Sequence, residues 1–455
     1  MSLQEEVEAE TSADSLQSLL AENTSSLAGN SEPRNLSSNS SHSLPTENTP
    51  LLPGNGEPQN LSSQLKTIAN VFLSVVGAGV LGLPYTFMRT GWVTSLIMVF
   101  SVAALTYRGM MLLVHTRRRL KDVPDGASGR PLETASFGDL GFNVGGPVGR
   151  FFVDCMIVLS QAGFCVGYLI FIGNTLANLF NSPLMLSAAS FKILGVSAKS
   201  LYIWSCFPFH LGLSSIPNLT SLASLSIFAD AVGISSMFAV LAEDVVIVTK
   251  QMAAIEPFGT LSTFFYGLGV VVYSFEGIGM ALPLESEMRD KTQFGKILGL
   301  TMLFIAAMYG LFGALGYFAF GDNTKDIITA NMGKGWLSSL VQVGLCINLF
   351  FTFPLMMNPV YEVVERWFRG GNYCLWTRLM LVLAVSLVAL FVPSFADFLS
   401  FMGSSTCCML GFILPAGFHY MTFRDEMSWR EASADVGIIV LGVLLGISGT
   451  WYSLS

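Results

Sequence analysis

Apolar residues along most of this chain come in long unbroken runs and do not alternate with polar ones. From about residue 64 onward, short polar segments separate eleven such runs. Apart from a short fourth run, each is long enough to cross the roughly 30 Å hydrocarbon core of a bilayer as an α-helix. The runs are 65–86, 91–115, 147–179, 199–213, 219–248, 260–282, 296–320, 335–364, 376–393, 397–422 and 434–453. The pattern predicts an all-α integral membrane protein with about eleven transmembrane helices, in contact with the lipid bilayer.

The first 63 residues have a different composition. They are rich in Ser, Asn, Glu and Pro, and they bury too little apolar surface to offset the entropy of ordering, so we expect a disordered tail before a transporter domain at 64–455. A basic start followed by an apolar stretch, the mark of a signal peptide, is missing. Glu47, Leu51 and Leu52 fit an acidic dileucine sorting signal, which would make a sorting adaptor a partner of this tail.

Composition supports the membrane prediction and limits the chemistry. Only 12% of the residues are charged, against about 25% in soluble domains, and 52% are hydrophobic. The net charge of -8 arises in the first sixty residues, and no basic surface for nucleic acid is visible. The seven cysteines have no zinc-like spacing and no nucleophile–base pair stands out, so we expect no metal, no cofactor and no enzyme activity.

The distribution of Lys and Arg between the loops predicts the orientation. If the N-terminus is cytosolic, the loops on that side hold fourteen of these residues and the other side holds six. The larger group includes the dense cluster at 117–121. Because cytosolic loops carry the excess of positive charge, we expect a cytosolic N-terminus and, with eleven spans, a luminal C-terminus.

Two predicted spans carry helix-breaking residues at corresponding places. Gly77 and Gly79 in the first span match Gly277 and Gly279 in the sixth, and a Pro follows four or five residues later in each. Gly and Pro weaken a helix, and an unwound stretch persists in a membrane only where protein covers it or it lines a cavity. A matched pair, one per half, predicts a transporter's substrate site. The alternative is that these glycines only allow close helix packing.

An unwound stretch offers the two kinds of backbone group that an amino acid zwitterion needs. Its free N–H groups can bind a carboxylate at the start of one half-helix, and its free carbonyls can bind an ammonium at the end of the other. In the third span, Gln161 and Tyr168 lie seven residues apart and share a helical face; they line the site or bond each other. The candidate substrate-binding residues are Gly77, Ala78, Gly79, Gln161, Tyr168, Ser274, Phe275 and Gly277.

Two acidic residues within apolar runs are candidates for proton coupling. Glu276 lies at the break of the sixth span and Asp230 lies midway along the fifth. A charge at bilayer depth is unfavourable, so an ionisable group there is a functional hypothesis by default. The alternatives are that Glu276 caps freed N–H groups and never titrates, and that Asp230 pairs with a buried partner.

The strings Gly-Ala-Gly-Val-Leu-Gly-Leu-Pro at 77–84 and Phe-Glu-Gly-Ile-Gly-Met-Ala-Leu-Pro-Leu-Glu-Ser-Glu-Met at 275–288 resemble those of the amino acid/auxin permease family. The likeness is greatest to plant vacuolar neutral amino acid exporters and animal proton-coupled amino acid transporters. It implies an inverted-repeat fold of five plus five helices, which would place the repeats at about 65–248 and 260–422 and an extra span at 434–453. Some proton-coupled relatives carry a His near the first span, and this span has none.

These observations together predict a secondary transporter, a symporter that moves neutral amino acids with protons across a vacuolar (tonoplast) or lysosomal membrane. The alternative from another class is a membrane receptor that keeps the fold and senses amino acids with little or no transport.

Overall fold

The computed structural model describes residues 64–122, 136–180, 198–216, 219–250, 253–333 and 335–454, with backbone alone at 219–226. The predicted tail and its sorting signal at Glu47, Leu51 and Leu52 lie outside these residues. The described chain is almost entirely helical, which confirms the predicted all-α class.

Fourteen α-helices follow one another in the described chain. They are α1 Gln64–Val75, α2 Leu83–Thr90, α3 Trp92–Asp122, α4 Phe137–Phe180, α5 Ala198–Ser214, α6 Leu219–Lys250, α7 Leu261–Ser274, α8 Ala281–Glu287, α9 Phe294–Phe320, α10 Trp336–Arg369, α11 Leu375–Phe391, α12 Phe395–Met402, α13 Leu414–Phe423 and α14 Trp429–Leu454. Short 3₁₀ turns at Ala78–Gly82 and Ile278–Met280 join α1 to α2 and α7 to α8. Two π-helical turns, Gly403–Cys407 and Met409–Ile413, join α12 to α13.

The helices have the lengths that a membrane protein requires. Among the described residues, eight helical segments are long and apolar enough to cross a bilayer, and the pair α1 and α2, bent by 52° at its break, makes a ninth. The fourth and ninth apolar runs coincide with α5 and α11, which have 17 residues each. The chain is therefore an integral membrane protein, and the number of eleven spans and the inverted repeat remain predictions.

The third predicted span begins later than the helix that contains it. Helix α4 starts ten residues before the predicted run, but Gly146 has φ 62 and ψ -157, which interrupts the helix. Pro147 follows directly, and a proline fits the first turn of a helix because it lacks an N–H. The predicted start at 147 therefore matches the second, apolar part of α4.

The two broken helices lie inside the bundle. Helix α9 packs along α2 and α3, α10 packs along α4 and α6, and α7 packs against α12. Val75, Val80, Leu83, Val270 and Phe275, which flank the breaks, are at most 3% exposed. Protein thus covers the backbone that flanks both breaks, whereas Gly279 and Met280 in the second break are exposed.

Candidate functional site

The first break lies between α1 and α2. Gly77 has an extended backbone, and the first hydrogen bond of the following turn runs from Val80 N–H to Gly77 O at 3.4 Å. The N–H groups of Ala78 and Gly79 therefore have no backbone acceptor, as at any helix start. They lie at the N-terminal, electropositive end of the half-helix that continues into α2.

The second break lies between α7 and α8 and has the same plan. Helix α7 ends at Ser274, Gly277 precedes the next turn, and Met280 N–H donates to Gly277 O at 3.1 Å. Within the residues that the structure describes, the Ser274 carbonyl and the N–H groups of Ile278 and Gly279 then have no backbone partner, whereas Tyr273 O accepts the Glu276 N–H at 3.2 Å. Each broken helix thus offers acceptors on one side of its break and donors on the other.

The two breaks cross in contact, and one glycine of each pair makes the contact possible. A Cβ atom at Gly79 would lie 2.7 Å from Ser274 Oγ and 2.8 Å from Ser274 Cα. A Cβ at Gly277 would lie 2.9 Å from Val75 Cγ2. By contrast, a Cβ at Gly77 or Gly279 would have no neighbour within 4 Å. The packing interpretation therefore accounts for Gly79 and Gly277 and leaves Gly77 and Gly279 facing open space.

Tyr309 of α9 joins the two breaks. Its hydroxyl lies 3.2 Å from Val75 O, at the end of α1, and 3.1 Å from Ser274 O, at the end of α7. The Gly77 backbone also lies close to this hydroxyl. Tyr309 is fully buried, and the Phe275 ring packs against its ring at 5.0 Å. The Tyr309 side chain therefore contacts backbone carbonyls at both breaks, and the Phe275 ring packs against the Tyr309 ring.

Asp230 lies beside the first break. Asn348 Nδ2 of α10 donates to Asp230 Oδ1 at 3.3 Å. Both residues line a cavity of about 20 Å³ together with Gly77 and apolar side chains of α1 and α6. A cavity of this size holds about one water molecule. The carboxyl thus reaches the space that Gly77 leaves open.

Glu276 lies at the second break and faces a different helix. Its carboxyl lies close to the thiols of Cys407 and Cys408, where the two π-helical turns after α12 meet. Ser160 of α4 also lies close to Cys407, and its buried hydroxyl has no hydrogen-bond partner among the described residues. Glu276 is half-buried.

Gln161 and Tyr168 of α4, which the sequence predicts to share a helical face, do not bond each other. Tyr168 is 4% exposed and lies near Asp230 and Tyr273. The Tyr273 ring stacks edge-on against Phe164 at 4.9 Å, and its hydroxyl has no hydrogen-bond partner in the described chain. Gln161 is half-buried two turns before Tyr168, and no hydrogen bond joins these two side chains in the described chain. Tyr168 thus neighbours the breaks, while a Gln161–Tyr168 bond is not formed.

In the residues described, no group of three or more His, Cys, Asp or Glu side chains has the geometry of a metal site. The groups gathered at the breaks are backbone amides, carbonyls, hydroxyls and isolated carboxyls. This is a set of ligands for a small polar molecule.

The sequence comparisons agree with that chemistry. A family model described as transmembrane amino acid transporter protein matches residues 61–455. The chain belongs to this family. It is 63% identical over 394 residues to amino acid transporter AVT3B of Arabidopsis thaliana, covering 86% of this chain and 93% of the relative. It is 35% identical over 415 residues to amino acid transporter ANT1 of the same plant, covering 86% and 92%.

A more distant family member comes from a fungus. Vacuolar amino acid transporter 3 of Schizosaccharomyces pombe is 27% identical over 398 residues, which cover 84% of this chain and 56% of the relative. Membership of the transmembrane amino acid transporter family confirms the resemblance seen in the 77–84 and 275–288 strings.

In this member of the family, the two ends of the bundle are held differently. At one end, the basic face, Arg117 and Arg118 of α3 pair with Glu285 of α8. At the other end, the opposite face, Tyr266 of α7 donates to Asp397 of α12 at 2.7 Å, and the Arg89 guanidinium lies 4.4 Å from the centre of the Tyr266 ring. The Arg117 and Arg118 pairs with Glu285 join α3 to α8, which belongs to the second broken helix. The contacts of Tyr266 join α7 to α12 and, through Arg89, to α2.

Sequence reasoning missed Tyr309, Asn348 and Cys407. The sequence does single out Tyr309 and Asn348, because each is a polar residue within an apolar run and needs a hydrogen-bond partner there. Their partners lie 35 and 118 residues away, and pattern analysis of one sequence does not give such distances.

Proposed function

We propose that this chain is a proton-coupled secondary transporter of neutral amino acids, with substrate bound where the two broken helices cross. The observation that carries the proposal is the contact of Gly79 with Ser274, which brings the amides at the start of one half-helix beside the carbonyl end of the other. Helix-start amides suit a carboxylate and helix-end carbonyls suit an ammonium, and a zwitterion carries both groups.

The expected substrate pose follows from the backbone groups. The carboxylate meets the N–H groups of Ala78 and Gly79, and the ammonium meets the carbonyls at Ser274 and Phe275. Ser274 O already accepts from Tyr309, but a carbonyl oxygen has two lone pairs and can accept again. Apolar neighbours at the first break, such as Phe72 and Met237, suit an uncharged substrate side chain.

Two carboxyls are within reach of the breaks and are the proposed proton carriers. Asp230 shares a cavity with Gly77, and Glu276 follows the end of α7 by two residues. A carboxyl that is neutral when protonated can cross the low-dielectric interior without a counterion, which makes it a suitable proton carrier.

We assign the membrane and the orientation from the tail, the loops and the relatives. The dileucine pattern in the tail favours a vacuolar or lysosomal membrane, and a fungal relative is named a vacuolar transporter. The basic face, with Arg117, Arg118 and Glu285, is then cytosolic, and the opposite face is luminal. Alternating access would rock the broken helices, with α3 and α9, against the remaining helices.

The test is amino acid uptake by the purified protein in proteoliposomes, with and without a pH gradient, across a panel of amino acids. Uptake of neutral amino acids should rise with the gradient. Gly79→Val should abolish uptake because its side chain meets Ser274, and Glu276→Ala should abolish the dependence on the gradient.

The matched control is Gly437→Val, since Gly437 is exposed on α14 and a Cβ there has no neighbour within 4 Å. It should transport like the wild type. Undiminished transport by both site variants would contradict the site assignment. Specific amino acid binding without any flux would instead support the receptor alternative.

A further inference from the structure

Helix α6 carries a second buried carboxyl besides Asp230. Asp244 is fully buried, and neither of its carboxyl oxygens has a hydrogen-bond partner in the part of the chain that the structure describes. It is six residues before the end of α6 at Lys250, on the side of the opposite face. It is not one of the groups that meet at the breaks.

The described helices packed against α6 place no cationic side chain next to the Asp244 carboxyl. Helix α10, which packs along α6, has no charged residue between Trp336 and Tyr361, and the one charged residue of α9 is Lys296, in its first turn at the far end. The adjacent residue on α6 is Glu243, a like charge, whose carboxylate accepts the Gly333 N–H at 3.4 Å.

The charged residues between α9 and α10 that the structure describes are engaged elsewhere or exposed. Lys325 Nζ donates to Ala330 O at 2.9 Å, and Asp326 accepts the Phe395 N–H at 3.3 Å. Asp322 and Lys250 are exposed. An ionised carboxylate without a partner is strongly unfavourable in such surroundings, so the neutral, protonated acid is the form that fits this packing.

Asp244 lies on the same face of α6 as the residues at the first break. Asp230, Met237 and Asp244 are spaced by seven residues, which places them on one face of α6. Asp230 and Met237 line the cavity at the first break. With a rise of about 1.5 Å per residue, Asp244 lies roughly 21 Å further along the same face, towards the opposite face of the bundle.

We propose that Asp244 is a proton-binding group of the transport cycle, loaded from the opposite face. When the packing of α6 against α10 opens, a hydronium ion on that side gives its proton to the carboxylate, which leaves a carboxylic acid and water. Closure then buries the neutral acid. This inference rests on the proposed proton-coupled transport.

The test compares Asp244→Asn with Glu243→Gln, a matched removal of the neighbouring carboxyl. Amino acid counterflow without a gradient, amino acid uptake with a gradient and proton uptake are measured in proteoliposomes. Asp244→Asn should keep counterflow but lose proton uptake and stimulation by the gradient. Glu243→Gln should keep all three.

Stimulation by the gradient in Asp244→Asn equal to that of the wild type would overturn the inference and leave the proposed function intact. A wild type that shows counterflow but no proton uptake would overturn proton coupling, and this inference with it.

If Asp244→Asn does not fold, infrared spectroscopy provides a second test. Infrared spectra of the wild type should contain the stretching band of a protonated carboxyl that moves in Asp244→Glu and persists in Glu243→Gln. Identical bands in the wild type and Asp244→Glu would contradict a buried neutral acid at Asp244.

Discussion

At the scale of single residues, Tyr309 is the side chain that relates the two breaks to each other. Its hydroxyl is within hydrogen-bond distance of Val75 O and Ser274 O. A hydroxyl donates one hydrogen at a time, so it bonds one carbonyl while the other is available to a ligand. Tyr309 therefore holds the acceptor side of the site in place without filling it.

Replacing Tyr309 by Phe should weaken transport and leave the fold intact. Losing one such bond costs about 0.5–1.5 kcal/mol, or about 2- to 10-fold in apparent substrate affinity. The measurement is the substrate dependence of uptake.

Tyr317→Phe on the same helix is the matched control. The Tyr317 hydroxyl accepts from Glu256 N–H at 2.8 Å, far from the breaks. Its loss should lower the unfolding temperature without changing the substrate dependence. Equal losses of affinity in the two variants would show that Tyr309 acts only through stability.

At the scale of elements, a buried ion pair holds a half-helix in place. Arg117 and Glu285 are each 2% exposed and in contact, and Arg117 Nη1 also donates to Leu282 O of α8 at 2.8 Å. Arg118 adds a second bond to Glu285 at 3.1 Å. Helix α8 has only 7 residues, so these contacts with α3 fix its direction. Helices α3 and α8 then move as one body.

Removing one partner of this pair should destabilise the protein strongly. Glu285→Ala leaves a buried guanidinium unpaired, and such losses reach about 3–5 kcal/mol in the free energy of unfolding. Thermal unfolding of the purified protein measures the effect.

The control is Glu426→Ala, because Glu426 is 59% exposed and pairs with Arg119 at the same face. An exposed pair contributes at most about 1 kcal/mol. Equal unfolding temperatures for Glu285→Ala and Glu426→Ala would contradict the role given to Glu285.

The sequence predicted elements well where the signal is local. Gly77 with Gly79 and Gly277 with Gly279 mark the breaks because Gly weakens a helix wherever it stands. The distinction within each pair, with Gly79 and Gly277 in contact and the other two facing open space, depends on which helices cross. That crossing is a long-range property, and so are the partners of Glu276 and Asp230.

At the scale of the whole molecule, the two faces hold different parts of the broken helices. On the opposite face, the Tyr266–Asp397 bond and Arg89 join them to α12, and Gly269 and Gly403 bring α7 against the residues around Ser400. On the basic face, α1 packs mainly on α9 and exposes Leu65. On the same face the Arg117–Glu285 pair holds α8 to α3, so the two faces differ in which helices they join to the broken ones.

The central claim is that one amino acid zwitterion binds where the two breaks cross. A cryo-EM structure of the protein in lipid nanodiscs with a transported neutral amino acid tests this most directly. The account predicts substrate density with its carboxylate within hydrogen-bond distance of the Ala78 and Gly79 amides, and its ammonium beside the carbonyls at Ser274 and Phe275. Density in the groove between Cys408 and Gly446, with the breaks unoccupied, would contradict it.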